Sequence, residues 1–256
     1  MDARGDFFNV AGKTVVVTGA SKGIGRGIAL EFAGRGAEIV AIARDPDALA
    51  SLCREIEEAS GRCIYIHADI ATDEGCERAI NEVLAARSEV HILVNSAGVS
   101  FPERATDTTL EHWDRTFAVN ARALFVLTQA FGRGMVERGW GRIIHVSSQA
   151  GLVAIENHAA YGASKGAVEM LSKVLALEWA PHGVTVNCIA PTVIDTAMAK
   201  TVFPTEEARR KMLDRIPVGR FGKVDEVSAA ALFLASERAA MITGDTLRVD
   251  GGWTAQ

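Results

Sequence analysis

The sequence has little of what marks a secreted, metal-bound or nucleic-acid-binding protein. Its four cysteines, Cys53, Cys63, Cys76 and Cys188, form no C-x-x-C pair and have no histidine at metal-ligand spacing. That argues against structural zinc and a disulfide framework, and leaves buried or incidental thiols in a reducing cytosol. Met1 to Val10 carries Asp2, Arg4 and Asp6 and lacks the apolar stretch of roughly 7 to 15 residues that a secretory signal needs. A cytoplasmic protein is expected. Apolar runs such as Thr14 to Val17 and Ile39 to Ile42 fall far short of the roughly 20 residues that span a bilayer, so they read as core strands. The net charge is −5, with Lys and Arg interspersed among Asp and Glu. No basic face points to nucleic acid and no Lys/Arg run to an anionic membrane, so a small molecule is the expected ligand. Only six prolines occur, and no repeat, low-complexity tract or linker divides the chain.

What is present is a core-rich composition, 48% hydrophobic over 256 residues, which suits a single domain over 1–256. Short β-branched apolar runs alternate with longer amphipathic stretches. The expected strands are Thr14 to Thr18, Glu38 to Ala43, Cys63 to His67, Ile92 to Asn95, Arg142 to Ser147, Thr185 to Ala190 and Thr246 to Val249. Nearly all are apolar without alternation, as strands covered on both faces should be. Helical spacing occupies Ile24 to Arg35, Ala48 to Ala59, Glu74 to Ala86, Leu110 to Arg138, Ala160 to Pro181 and Val224 to Ser236. Together these predict an α/β fold, a doubly wound Rossmann-type sandwich on a seven-stranded parallel sheet. Pro191 to Phe221 breaks the rhythm around a basic helical piece, Glu206 to Arg215. It reads as a substrate lid at about 191–221, the alternative being an ordinary surface excursion.

The first strand runs into Gly19-Ala20-Ser21-Lys22-Gly23-Ile24-Gly25 and then a helix, the context a dinucleotide fingerprint requires. Gly19 permits the tight turn, Gly23 lets the backbone approach a pyrophosphate, and Gly25 lets the helix pack against the sheet. The helix N-terminus offers free N–H groups to the phosphates. The second strand ends Ala43-Arg44, where the residue type selects between a ribose hydroxyl and a 2′-phosphate. No carboxylate stands at Ala43, while Arg44 and Lys22 supply positive charge, which favours NADP (NADPH) over NAD. Asp45 offers another arrangement, paired with Arg44 or facing a ribose hydroxyl.

Tyr161-Gly162-Ala163-Ser164-Lys165 opens a helix, and the four-residue spacing puts phenol and ammonium on one face. A fixed cation beside a phenol favours phenolate and moves its pKa toward working pH. Tyr161 is then the expected general acid in a reduction, and Lys165 also suits a ribose. Ser148 follows the fifth strand at the carboxyl edge of the sheet, where open α/β folds place ligands. Asn120, a poor helix former within an apolar helical stretch, predicts a kink or an ordered water.

In order, these motifs are T-G-x-x-x-G-x-G, Asn95-Ser96-Ala97-Gly98, Asn120, Ser148 and Tyr161-x-x-x-Lys165. Together they resemble the short-chain dehydrogenase/reductase family across essentially the whole chain. The resemblance implies Tyr161 as acid/base, Lys165 on the ribose, Ser148 orienting substrate and Asn120 supporting a water of the proton relay. It also implies cofactor contacts from Gly19, Ser21, Lys22, Gly23, Ile24, Gly25, Asp69, Ile70, Asn95, Ala97, Gly98, Val193 and Thr196. Within the family the sequence is similar to the L-xylulose (dicarbonyl/sugar) reductases at Ser21 to Gly27, Val40 to Arg44, Ser147-Ser148-Gln149, Glu156-Asn157-His158 and Pro191-Thr192-Val193. That likeness implies NADPH and a ketose, polyol or dicarbonyl substrate held by Gln149 and His158, although His158 also reads as a capping or surface histidine. Branches acting on 3-oxoacyl carrier protein, gluconate or tetritols share nearly every motif. Family likeness further implies a homotetramer, with one interface on Leu110 to Arg138 and Ala160 to Pro181 and another at Asp250 to Trp253. His67, His91, His112, His145 and His182 are assigned no chemistry.

Overall fold

The computed structural model describes residues 8–196, 199 and 205–255. The elements run β1 (Thr14–Thr18), α1 (Gly23–Gly34), β2 (Glu38–Ala43), α2 (Pro46–Glu58), β3 (Arg62–His67), α3 (Asp73–Ala86) and β4 (Ile92–Asn95). Then follow α4 (Leu110–Phe117), α5 (Leu124–Arg138), β5 (Gly141–Val146), α6 (Ala159–Trp179) and β6 (Val184–Pro191). Last come α7 (Glu206–Leu213), α8 (Val224–Ala235) and β7 (Thr246–Val249). The strands pair in parallel in the order β3-β2-β1-β4-β5-β6-β7. The expected seven-stranded doubly wound sheet is therefore the fold.

Alternate residues of β1 bury into opposite layers, which is why its centre, Val15 to Val17, is wholly apolar. Val15 and Val17 pack with Ile28, Phe32, Leu49, Val227 and Leu232 of α1, α2 and α8. Val16 packs with Val83, Leu127, Phe131 and Leu175 of α3, α5 and α6. The chain leaves β1 in one direction to β2 and returns on the other side as β4, so a crevice opens between the strands' carboxyl ends at that reversal. Among the described residues no helix is long and apolar enough to cross a membrane.

Two expectations are corrected by the coordinates. The helical stretch Leu110 to Arg138 is not continuous, because a wide π-type turn over Ala118–Ala123 separates α4 from α5. Asn120 sits in that turn, and such insertions gather at functional sites. The cysteines are not all free: Cys53 on the buried face of α2 is bonded to Cys63 on β3, their Cα atoms 5.1 Å apart. The turn at Ser60-Gly61 folds helix back on strand, so the two thiols meet within bridging distance without any short sequence spacing. Cys76 and Cys188 remain free and buried.

Candidate active site

The crevice is a cleft of about 850 Å³. At one end it is walled by the turn after β1. Gly19 has φ +67°, and a Cβ there would stand 2.8 Å from Ala97 Cα, so the turn and the loop after β4 close to backbone contact. A Cβ on Gly25 would stand 2.4 Å from the Gly19 carbonyl oxygen, which holds α1 tight beneath the turn. Thr18 Oγ1 accepts from the N–H groups of Ser96 and Ala97, both at 3.1 Å, and locks the two loops together. Lys22 is the N-cap of α1 and provides no side-chain cap, so the first N–H groups of the helix stay available. This donor set fits the diphosphate of a dinucleotide.

Ser21, Lys22, Gly23, Ile24, Arg44, Asp69, Ile70, Ala97, Gly98, Val193 and Thr196 all line the cleft. Arg44 is exposed at the rim. Asp45 is not its partner: its side chain caps α2 by accepting from the Ala48 N–H at 3.0 Å. Asp69 takes Arg115 at 2.9 Å. Burial works to raise the Asp69 pKa, but Arg115, the Ala71 N–H and nearby Arg44 prevail and hold the carboxyl below its ordinary range.

Asn95 departs from the expected set. It is buried away from the cleft, with Nδ2 donating to Thr128 Oγ1 at 3.0 Å and lying 3.2 Å from His145 Nδ1. The side chain of the last β4 residue points into the α5–α6 layer, while Ala97 and Gly98 line the cavity.

At the other end of the cleft, α6 presents Tyr161 and Lys165. The Ser148 hydroxyl is near enough to the phenol to pull its pKa down, and Ser148 Oγ accepts from the Ala150 N–H at 3.1 Å. Lys165 Nζ donates to the Val146 carbonyl at 2.7 Å and lies 5.7 Å from the centre of the Tyr161 ring. The expected lowering of the phenol is not what this arrangement gives. Burial raises Tyr161 above its ordinary value, and the Ser148 hydroxyl opposes that only in part. Lys165 is itself pushed down to about 8 by burial, against the raising influence of Cys188 and Glu169.

Asn120 is fully buried behind these groups. Its Oδ1 accepts from the Val99 N–H at 2.8 Å, while Nδ2 donates to the Val99 carbonyl at 2.9 Å and to Ser164 Oγ at 3.1 Å. A Cβ on Gly98 would stand 3.5 Å from Asn120 Oδ1 and 3.7 Å from Lys165 Nζ, so the loop after β4, the wide turn and α6 converge there. Gln149 is buried on the cleft wall, and its Oε1 has no hydrogen-bond partner among the described residues. His158 lies edge-on to Tyr161 at 6.0 Å and accepts or donates at Nδ1 with the Glu156 carbonyl; since a carbonyl only accepts, Nδ1 carries the proton and Nε2 is left as an acceptor.

The opposite wall comes from the segment after β6, of which residues 197, 198 and 200–204 of the expected lid lie outside the described residues. Val193, Thr196, Ala208, Lys211, Met212 and Arg215 contribute to it. Ile216, Phe221 and Trp253 form a small separate core beneath α7. Trp253, expected at a subunit interface, is therefore buried within its own chain, with Arg215 stacked 4.3 Å over its ring.

A nucleotide-holding glycine turn, a Ser–Tyr–Lys group at the far end of the same cleft and the seven-stranded sheet define an oxidoreductase of the short-chain type. Residues 19–254 match a family profile described as enoyl-(acyl carrier protein) reductase. The chain is 42% identical to the L-xylulose reductase of Homo sapiens over 96% of its length and 98% of that protein. It is 40% identical to the NAD-dependent glycerol dehydrogenase of Listeria innocua over 96% of both chains. A gluconate 5-dehydrogenase from Burkholderia cenocepacia, solved in complex with NADP and tartrate, superposes with a TM-score of 0.93 at 33% identity, over 98% of each chain. The chain belongs to the short-chain dehydrogenase/reductase family, and the relatives it matches act on sugars and polyols.

Proposed function

We propose that the protein is an NADP(H)-dependent oxidoreductase that interconverts a small ketone and a secondary alcohol, with a ketose/polyol or dicarbonyl as substrate. The observation that carries this reading is the convergence of Ser148, Tyr161 and Lys165 on one cleft whose other end is the glycine turn, with Lys165 Nζ 5.7 Å from the Tyr161 ring centre. The bound cofactor supplies or takes up the hydride. Arg44, which lies near Asp69, and Lys22 form no salt bridge among the described residues and suit a 2′-phosphate at the adenosine end.

Ser148 donates its hydroxyl to the substrate oxygen, and Tyr161 gives its proton to that oxygen as negative charge develops. The raised phenol is a ready proton holder for reduction. Lys165, held by Val146, stands beside Gly98 where it reaches a ribose and the Tyr161 face. Both amide hydrogens of Asn120 are committed, so any water it supports bonds to the remaining lone pair of Oδ1. Gln149 Oε1 and His158 Nε2 are acceptors suited to sugar hydroxyls. The 191–221 segment acts as the substrate lid, and the whole chain forms one catalytic domain. The exposed apolar residues Leu110 and Phe125 of α4 and α5, with Met170, Val174 and Leu177 of α6, support a homotetramer built on these helices.

A second reading, reduction of a 3-oxoacyl group on an acidic carrier protein, draws on Lys211 and Arg215 at the mouth of the cleft. The test is NADPH and NADH consumption with L-xylulose, diacetyl and an acetoacetyl thioester, and reduction of NADP+ and NAD+ with gluconate-type polyols. NADPH use with the sugar or diketone supports the first reading. Activity confined to the thioester supports the second, and strict NADH use overturns the role given to Arg44.

A further inference from the structure

Behind the catalytic face, the sheet register aligns four polar residues on adjacent strands. Asn95 on β4 pairs with His145 on β5, His145 with Cys188 on β6, and Cys188 with Thr246 on β7. Three of them are met from the helix layer. Thr128 of α5 takes Asn95, Ser172 of α6 lies 3.1 Å from the Cys188 sulfur, and Glu169 of α6 accepts from Thr246 Oγ1. Glu169 is the unusual member. It is 6% exposed, no Lys or Arg pairs with it among the described residues, and its Oε1 has no hydrogen-bond partner. An acidic side chain is almost never buried so fully without a cation.

The nearest buried cation is on the same helix. Lys165 precedes Glu169 by four residues, so the two rise from one helical face a turn apart. We infer that Glu169 is a positioning residue for the reaction, the buried counter-charge that keeps Lys165 an ammonium beside Tyr161.

The groups facing Lys165 leave that part to Glu169. From its own helix come Tyr161 and Glu169, from β5 His145 and from β6 Cys188. Burial and the Lys165 charge hold His145 down to about 3, so it is neutral. Burial and Glu169 push the Cys188 thiol far up, so it too is neutral. Ser172 spends its proton on the Val168 carbonyl at 2.7 Å, which leaves the thiol as donor in the Ser172 contact. On the outer flank of α6, Arg115 is committed to Asp69, Arg122 to Asp73 and His112 to Glu103. Glu111 and Asp114 of α4, His182 before β6, and Asp245 and Arg248 around β7 are exposed. With Cys188 protonated, Glu169 is the carboxyl group left among the described residues to offset the desolvation of Lys165, which burial pushes down to about 8, close to working pH.

The inference rests on the Tyr161–Lys165 reading above, but its test needs neither substrate nor cofactor. In protein carrying 13Cε-lysine, with the signal assigned through Lys165→Met, Lys165 should titrate near pH 8. In Glu169→Gln the midpoint should fall by about one pH unit, because an ammonium loses its attracting charge. Glu169→Asp should restore most of the shift. Thr246→Val, which removes the hydrogen bond and keeps the carboxylate, should leave the midpoint in place. With NADPH and a ketone, the alkaline limb of the reduction should move down with the lysine in Glu169→Gln alone. In the wild type the Glu169 carboxyl carbon should show a step at the Lys165 midpoint, a readout that survives if Glu169→Gln does not fold. An unmoved lysine in Glu169→Gln, an equal shift in Thr246→Val, or no step at the Glu169 carbon would overturn the inference. A failed substrate or cofactor assignment would leave these titrations as they are.

Discussion

The two walls of the cleft are held in different ways. The wall of β1, β4, β5 and α6 is fixed by sheet register. Ser148 follows β5, Lys165 is tied to the Val146 carbonyl, Asn120 is tied to Val99, and Thr18 locks the loop at Ser96 and Ala97. The facing wall, contributed by Val193, Thr196, Ala208, Lys211, Met212 and Arg215, lies outside the sheet beside the small Ile216–Phe221–Trp253 core. The difference teaches that proton transfer is assigned to residues the sheet cannot release, whereas substrate choice falls to a separately packed segment.

If the division is right, damage to the first wall should strike turnover and damage to the second should strike selectivity. Ser148→Ala, which removes a donor to the substrate oxygen, should lower kcat by about 100-fold with little change in NADPH affinity, measured by steady-state kinetics and cofactor fluorescence. Arg44→Ala should raise the KM for NADPH by about tenfold and leave that for NADH unchanged. This would separate cofactor choice from both walls.

The fixed wall should also show its cost in acid. His145 is held near pH 3, below the ordinary 6.5 of an unfolded histidine, so the unfolded chain binds the proton first. Stability is fully present above about pH 6.5 and is lost as pH falls toward 3, by a few kcal/mol. Urea unfolding of the wild type against His145→Asn should show a flatter acid dependence in the variant. The smallest effect is expected on the second wall. Met212→Ala should change the substrate KM by about threefold and leave NADPH binding and the pH profile alone.

The fold was legible because every strand but the edges is buried on both faces, so residues such as Val15 to Val17 and Ile92 to Val94 carry no polar alternation to mislead. The glycine turn and Tyr161-x-x-x-Lys165 were legible because their chemistry requires adjacent residues. What escaped depends on contacts between distant segments. Asn120 marks a kink by its residue type alone, but that the break takes the form of a wide turn over Ala118–Ala123 depends on its hydrogen bonds to Val99. The Cys53–Cys63 bridge needs the α2–β3 corner to bring two buried thiols together. Asn95 reads as a cleft residue from its motif, yet strand alternation turns its side chain toward Thr128 and His145. The Tyr161 phenol is raised rather than lowered because burial outweighs the Ser148 hydroxyl. His145 and Glu169 gave no sequence signal at all, since a buried row appears only when four strands are in register.

The most direct test of the account is Tyr161→Phe, measured in one preparation for NADPH binding and for ketone reduction. Loss of turnover by about 100- to 10,000-fold with NADPH affinity within about threefold of wild type is the predicted result. Turnover retained in the variant would contradict the assignment of Tyr161 as the proton donor, and with it the division between the two walls.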